Sequence, residues 1–306
     1  MSVVQTQSNT SRLWRELVVE NPMVIEVSRF RRRFLEGGRG KSVNTTTLVL
    51  AIVAYAALLL VIANLSGDFP PVALIFLQTG VFCFLGPALT FGSIAGERER
   101  RSWDLLLVAP ISHAQIVFGK FMASAAGILG ATVLFLVPTM FTALTYKGDW
   151  NSYNTPVDGV ISGSYALIGQ EIISITFALM ISAMALLFSA RCRRGLMALG
   201  IVLGALFIGL IALPAILSIM TSGTGMADLV NLTHPFMAIN RLEELRHSSG
   251  NAYGGVDDYH MFGGLWYGLV QGLVYLGMTG VFLTWAIKTV TFADGEKKFI
   301  PRKINA

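Results

Sequence analysis

Six apolar runs, at roughly 44–65, 72–95, 116–144, 164–190, 196–219 and 264–288, constrain this chain more than any other feature. An α-helix needs about 20 such residues to cross a bilayer. In hydrocarbon the backbone has no water to bond to, so it must close its hydrogen bonds inside helices or a sealed barrel. The short alternating strands of a barrel are missing from the sequence. The expected fold class is therefore an all-α membrane protein with six transmembrane helices. Composition agrees: 13% of residues are charged, against about 25% in soluble domains.

The charges set the orientation. Twenty of the 23 Lys and Arg residues fall in the tail before the first span, the loop after the second, the loop after the fourth, or the end of the chain. Lys147, Arg241 and Arg246 alone fall on the other side. Basic loops stay on the cytoplasmic side, so both termini are expected there. The net charge of +5 thus reads as topology, and no nucleic-acid partner is expected. The expected domains are a cytoplasmic tail at 1–43, a transmembrane domain at 44–290 and a second tail at 291–306. The first tail has no apolar core of a leader peptide, so the first span is expected to direct insertion. Cys83 lies within a span and Cys192 in a basic loop, so both are expected to be reduced.

The N-terminal tail predicts a helix capped by Asn21 and Pro22. Met23, Val27, Phe30 and Phe34 fall on one stripe, with Arg29, Arg31, Arg32 and Arg33 mostly on the other faces. That pattern suits a helix lying in the inner membrane interface. It serves as an anchor alone, or as an anchor that also touches a partner subunit. Gly37-Gly38-Arg39-Gly40-Lys41-Ser42 is not a phosphate loop: the position five before Gly40 is Leu35, and no strand precedes it.

The loop after the second span is polar and then abruptly apolar: Glu97-Arg98-Glu99-Arg100-Arg101-Ser102-Trp103-Asp104-Leu105-Leu106-Leu107. The second helix is expected to continue as far as Leu107. Pro110 cannot continue it. Ser112 with Gln115 has capping-box spacing, so the third span is expected to start near His113. The product is a helix–break–helix hairpin. Trp103, Leu105 and Leu106 either pack on the protein's own helices or insert into a groove of another protein.

Elsewhere the signals are sparser. Phe236, Ile239, Leu242 and Leu245 form a helical stripe between spans five and six, predicting a short external helix. Glu171 is the one ionisable residue near mid-span; it sits at the outer interface or faces a substrate path. His234, His247 and His260 match no metal motif, and no metal site is expected. Gly200 with Gly204, and Gly268 with Gly272, permit close helix approach. Pro87, Pro138 and Pro214 lie within spans and are expected to bend them.

These residues resemble the membrane-spanning permease subunits of type-2 ABC transporters. Family members carry an acidic-basic-acidic start, a small residue, an aliphatic run, Pro-Ile-Ser and Gly-Lys. This chain has Glu97-Arg98-Glu99, Ser102, Leu105-Leu106-Leu107, Pro110-Ile111-Ser112 and Gly119-Lys120. It departs at two points: Arg101-Ser102 stands where a Gly-Thr pair is common, and the outer loops are too small for subfamilies with large external domains. The resemblance implies an export path formed by this chain with a second permease copy, as homodimer or heterodimer. It implies two separate ABC ATPase subunits on the cytoplasmic side, which bind and hydrolyse ATP. This chain would then hold no cofactor and carry no catalytic residue. Glu97, Arg98, Glu99, Arg101, Trp103, Leu105, Leu106, Pro110 and Ser112 would form the ATPase-coupling element. Met23, Val27, Phe30 and Phe34 would form the elbow helix. The location implied is the cytoplasmic membrane of a prokaryote. The competing readings are a membrane scaffold and an autonomous secondary transporter. The latter commonly shows mid-membrane charges and repeated halves, which are not clear here.

Overall fold

The computed structural model describes residues 70–103, 111–145, 158–212, 214–216, 234–248 and 258–298, with single positions at Leu17, Asn21, Pro22, Val24, Val53 and Tyr55. Its helices are α1 (Pro71–Thr90), α2 (Ala95–Glu99), α3 (His113–Thr145), α4 (Asp158–Arg191), α5 (Gly195–Phe207), α6 (Pro235–Ser248) and α7 (Asp258–Lys298). No strand occurs among the described residues. Five helical stretches are long and apolar enough to cross a membrane: Pro71–Glu99, His113–Thr145, Tyr165–Arg191, Gly195–Ile216 and Leu265–Thr291. They correspond to expected spans two to six. Apart from Val53 and Tyr55, the first expected span lies outside the described residues, as do Met23, Val27, Phe30 and Phe34.

α4 is the axis of the bundle. Of its apolar window 72% is buried inside the protein, against 18% for α5. Its longest seam is with α7, and glycine makes that seam possible. A Cβ at Gly268 would stand 2.5 Å from the Gly169 Cα, and one at Gly272 would stand 2.7 Å from Ile172 Cγ2. Phe177 and Tyr275 continue the contact, with ring centroids 5.3 Å apart. The other small-residue pair behaves differently: among the described residues nothing lies within 4 Å of a Cβ at Gly200 or Gly204. The outward faces of α1, α3 and α7 carry exposed Phe84, Val133, Leu134, Leu273 and Val281, the surface that lipid would cover.

Threonine hydroxyls within the spans find partners on their own helix, while Ser182 Oγ of α4 is buried without one. Thr79, Thr90, Thr132, Thr139 and Thr142 each donate to the carbonyl four residues back. Scattered Thr in an apolar helix therefore needs no partner helix.

Two of the span prolines show a common device. A proline has no N–H for the carbonyl four residues earlier, which leaves that oxygen without its helical donor. For Pro138 this oxygen belongs to Leu134, and the Tyr55 hydroxyl donates to it at 2.7 Å. For Pro214 it belongs to Leu210, just where the helix loosens into a π turn at Ile208–Ala212, and His234 Nε2 meets it at 2.9 Å. His234 also caps α6, because the Met237 N–H donates to its Nδ1 at 3.2 Å. The ring thus ties the span that begins with α5 to α6. Of the stripe foreseen on α6, Ile239 and Leu242 are 0% exposed, Phe236 is half-buried and stacks on Phe76 of α1, and the Leu245 side chain lies outside the described residues.

Candidate functional site

The polar segment after α1 forms a compact knuckle, built by local hydrogen bonding. α1 ends at Thr90, and Phe91–Ile94 form a turn. α2 then starts with its first donors met by another helix: the Ile94 and Ala95 N–H groups both reach Ser189 Oγ of α4, at 3.1 and 3.0 Å. α2 stops at Glu99, not at Leu107 as the apolar run suggests. The Arg101 N–H returns to the Arg98 carbonyl and the Ser102 N–H to the Glu97 carbonyl, at 3.2 and 3.0 Å. Arg101 sits between them at φ 59°. This is a Schellman closure, whose left-handed position is commonly glycine. The departure noted above, Arg101 in place of a Gly, therefore falls on the one residue whose backbone favours Gly.

The charged side chains of the knuckle each reach a different helix. Glu97 Oε1 accepts from Lys120 Nζ of α3 at 2.6 Å, and the same ammonium reaches the Ser93 carbonyl. Arg98 Nη1 donates to the Ala190 carbonyl at 2.6 Å, where a cation complements the carboxyl end of α4. Glu99 Oε1 accepts the Gly195 N–H at 3.0 Å, an anion at the amino end of α5. Five residues of knuckle thus hold the ends of three other helices. Arg100 and Arg101 stand exposed at the tip, and Arg193 and Arg194 ahead of α5 are exposed as well. A groove of about 580 Å³ runs along the knuckle, lined by Phe91, Glu97, Arg100, Ser102, Lys120 and Leu196 among others.

Trp103 resolves the choice left open by its sequence. It is 5% exposed and packs with Ile94, Ile116, Phe121, Leu186 and Val290. The Arg98 guanidinium lies 5.3 Å from its ring centroid. Trp103 therefore supports the knuckle from within, and the reading of this residue as an anchor inserted into another protein is withdrawn. Leu105, Leu106 and Pro110 lie outside the described residues. Ser112 behaves as its spacing foretold. The Gln115 N–H donates to Ser112 Oγ at 3.2 Å and the Ser112 N–H to Gln115 Oε1 at 2.9 Å, so α3 begins at His113.

One contact could not be foreseen. Buried Asn21 donates from Nδ2 to the Gln115 carbonyl at 2.9 Å, placing the N-terminal segment against the root of the hairpin. Sequence showed Asn21 as a helix cap; nothing in it pointed to α3. Glu171, the remaining candidate, lies far along α4, toward α6. It is 9% exposed and accepts from Gln78 Nε2 of α1 at 2.8 Å. It faces the α1 seam and not the surface.

Comparison with curated proteins finds no match. Residues 34–293, most of the chain and the whole knuckle, match the family described as ABC-2 family transporter protein, and the chain belongs to that family.

Proposed function

We propose that this permease works as an exporter driven by a separate ABC ATPase, and that the knuckle is where the ATPase docks. Family membership supports the partner, and the resemblance of the 97–120 segment supports the place. In this reading both termini are cytoplasmic, ATP is hydrolysed only in the partner, and a second permease chain completes the path.

One observation carries the docking assignment: Glu97, Arg98 and Glu99 hold Lys120 of α3, the last turn of α4 and the first turn of α5 at once. A push on a loose loop is absorbed by the loop. A push on this knuckle moves three helix ends together. The exposed Arg100 and Arg101 form a basic tip that steers toward an acidic cleft rim.

The test uses the complete chain co-expressed with its ATPase and solubilised gently. The double reversal Arg100→Glu with Arg101→Glu should reduce the co-purified ATPase about tenfold, equivalent to about 1.4 kcal/mol of docking energy. Insertion and thermal stability should stay near wild type, because both side chains are exposed. Full recruitment and full ATPase stimulation in that variant would show that the tip is not the docking surface.

A further inference from the structure

The α1–α4 seam holds a buried acid without a cation. Glu171 is 9% exposed and Gln78 is 0% exposed. Their one hydrogen bond runs from Gln78 Nε2 to Glu171 Oε2 at 2.8 Å. The two remaining oxygens, Glu171 Oε1 and Gln78 Oε1, are both buried and have no partner. The Thr79 and Ser174 hydroxyls complete the cluster, 2.9 Å apart.

The charges around it offer no help to an anion. On α4 itself the neighbouring residue, Gln170, donates to Glu243 of α6 at 3.3 Å, so the nearest charge traced through hydrogen bonds is another acid. Arg241 shares α6 but makes no ion pair with Glu171. α1 contributes only the neutral Gln78 and Thr79. α7 contributes Gln271 and the phenols Tyr267 and Tyr275. Among the described residues no Lys, Arg or His pairs with Glu171.

A carboxylate with a single donor in such a place bears a large desolvation cost, and such groups neutralise. A carboxylic acid and a primary amide, by contrast, are complementary: each offers one donor and one acceptor on parallel bonds. A hydrogen on Oε1 would donate to Gln78 Oε1 while Gln78 Nε2 continues to donate to Oε2. One proton satisfies both orphan oxygens.

We propose that Glu171 and Gln78 form a proton-binding site: the carboxyl is held as a neutral acid paired with the amide, and this pair closes the α1–α4 seam. Opening the seam to water removes the amide and solvates the anion, so the proton leaves when the helices part. Proton binding therefore favours the closed arrangement, whatever drives the opening. The inference is independent of the ATPase assignment.

The experiment uses the full chain in lipid nanodiscs. The infrared spectrum should contain a protonated-carboxyl stretch at neutral pH that shifts on deuteration and is missing in Glu171→Gln. Gln78→Ala keeps the acid but removes its partner, so it should move the band to higher frequency. A Glu171→Gln protein should unfold within a few degrees of wild type, since its amide supplies an N–H where the acid supplied O–H. A wild-type spectrum lacking that band would overturn the proposal, and would indicate a buried water or cation beside a charged Glu171. A band unmoved by Gln78→Ala would overturn the pairing.

Discussion

The knuckle and the Glu171 cluster are both polar islands in an apolar protein, and they solve the problem of burial in opposite ways. In the knuckle three charged side chains end on an opposite charge or on the complementary end of a helix, Glu97 on Lys120, Arg98 on the carboxyl end of α4 and Glu99 on the amino end of α5, although Glu97 Oε2 and Arg98 Nη2 are buried without a partner. In the α1–α4 seam a lone acid meets an amide, with hydroxyls around it. Charge paired with charge or helix end resists separation, because parting strands both groups in a poor environment. A neutral acid–amide pair parts more cheaply once water arrives, because water replaces both bonds. The first arrangement suits a lever and the second a seam that opens.

Three substitutions at the knuckle would break or sharpen that contrast. The largest effect is expected from Trp103→Ala. Removing a buried indole from the cluster around Ile94, Ile116 and Leu186 should cost about 3–5 kcal/mol. Thermal unfolding in detergent should show a large fall in Tm, and a near-wild-type Tm would mean that the knuckle is not part of the core. Lys120→Met comes next. Lys120 is 11% and Glu97 30% exposed, so losing this pair should cost about 1–2 kcal/mol. Its informative readout is functional: the ATPase should still be recruited, but its stimulation by the permease should fall, because α3 is no longer tied to α2. Unchanged stimulation would remove this ion pair from the lever. The smallest effect is a gain. Arg101→Gly relieves the left-handed backbone at φ 59° and should stabilise the chain by about 1 kcal/mol. A loss on that substitution would mean that the Arg101 side chain contributes more than its backbone costs.

Much of the candidate site could be read in the residues, because its signals are local. Ser112 and Gln115 are three apart, and their reciprocal bonds start α3 where that spacing puts it. The stripe of Phe236, Ile239 and Leu242 produced α6 as expected, with Phe236 stacked on Phe76. The end of α2 was not legible. Leu105, Leu106 and Leu107 extend a helical pattern, but the Schellman closure around Arg101 stops α2 at Glu99, and a non-glycine left-handed residue carries no local mark. Gly200 with Gly204 and Gly268 with Gly272 look alike along the chain. One pair receives Gly169 and Ile172 of α4, while the other meets nothing within 4 Å among the described residues.

Hydrophobic length was enough to establish a helical membrane protein and, for the described spans, where each lies. The free energy of leaving water acts on each segment separately, so it is written in the segment. Partnership is different in kind. That Glu99 caps α5, that His234 supplies the carbonyl freed by Pro214, and that Gln78 meets Glu171 depends on helices distant in the chain arriving side by side. Packing brings them together. Side-chain geometry in the packed bundle then sets which donor finds which acceptor, and no spacing along one segment encodes that match.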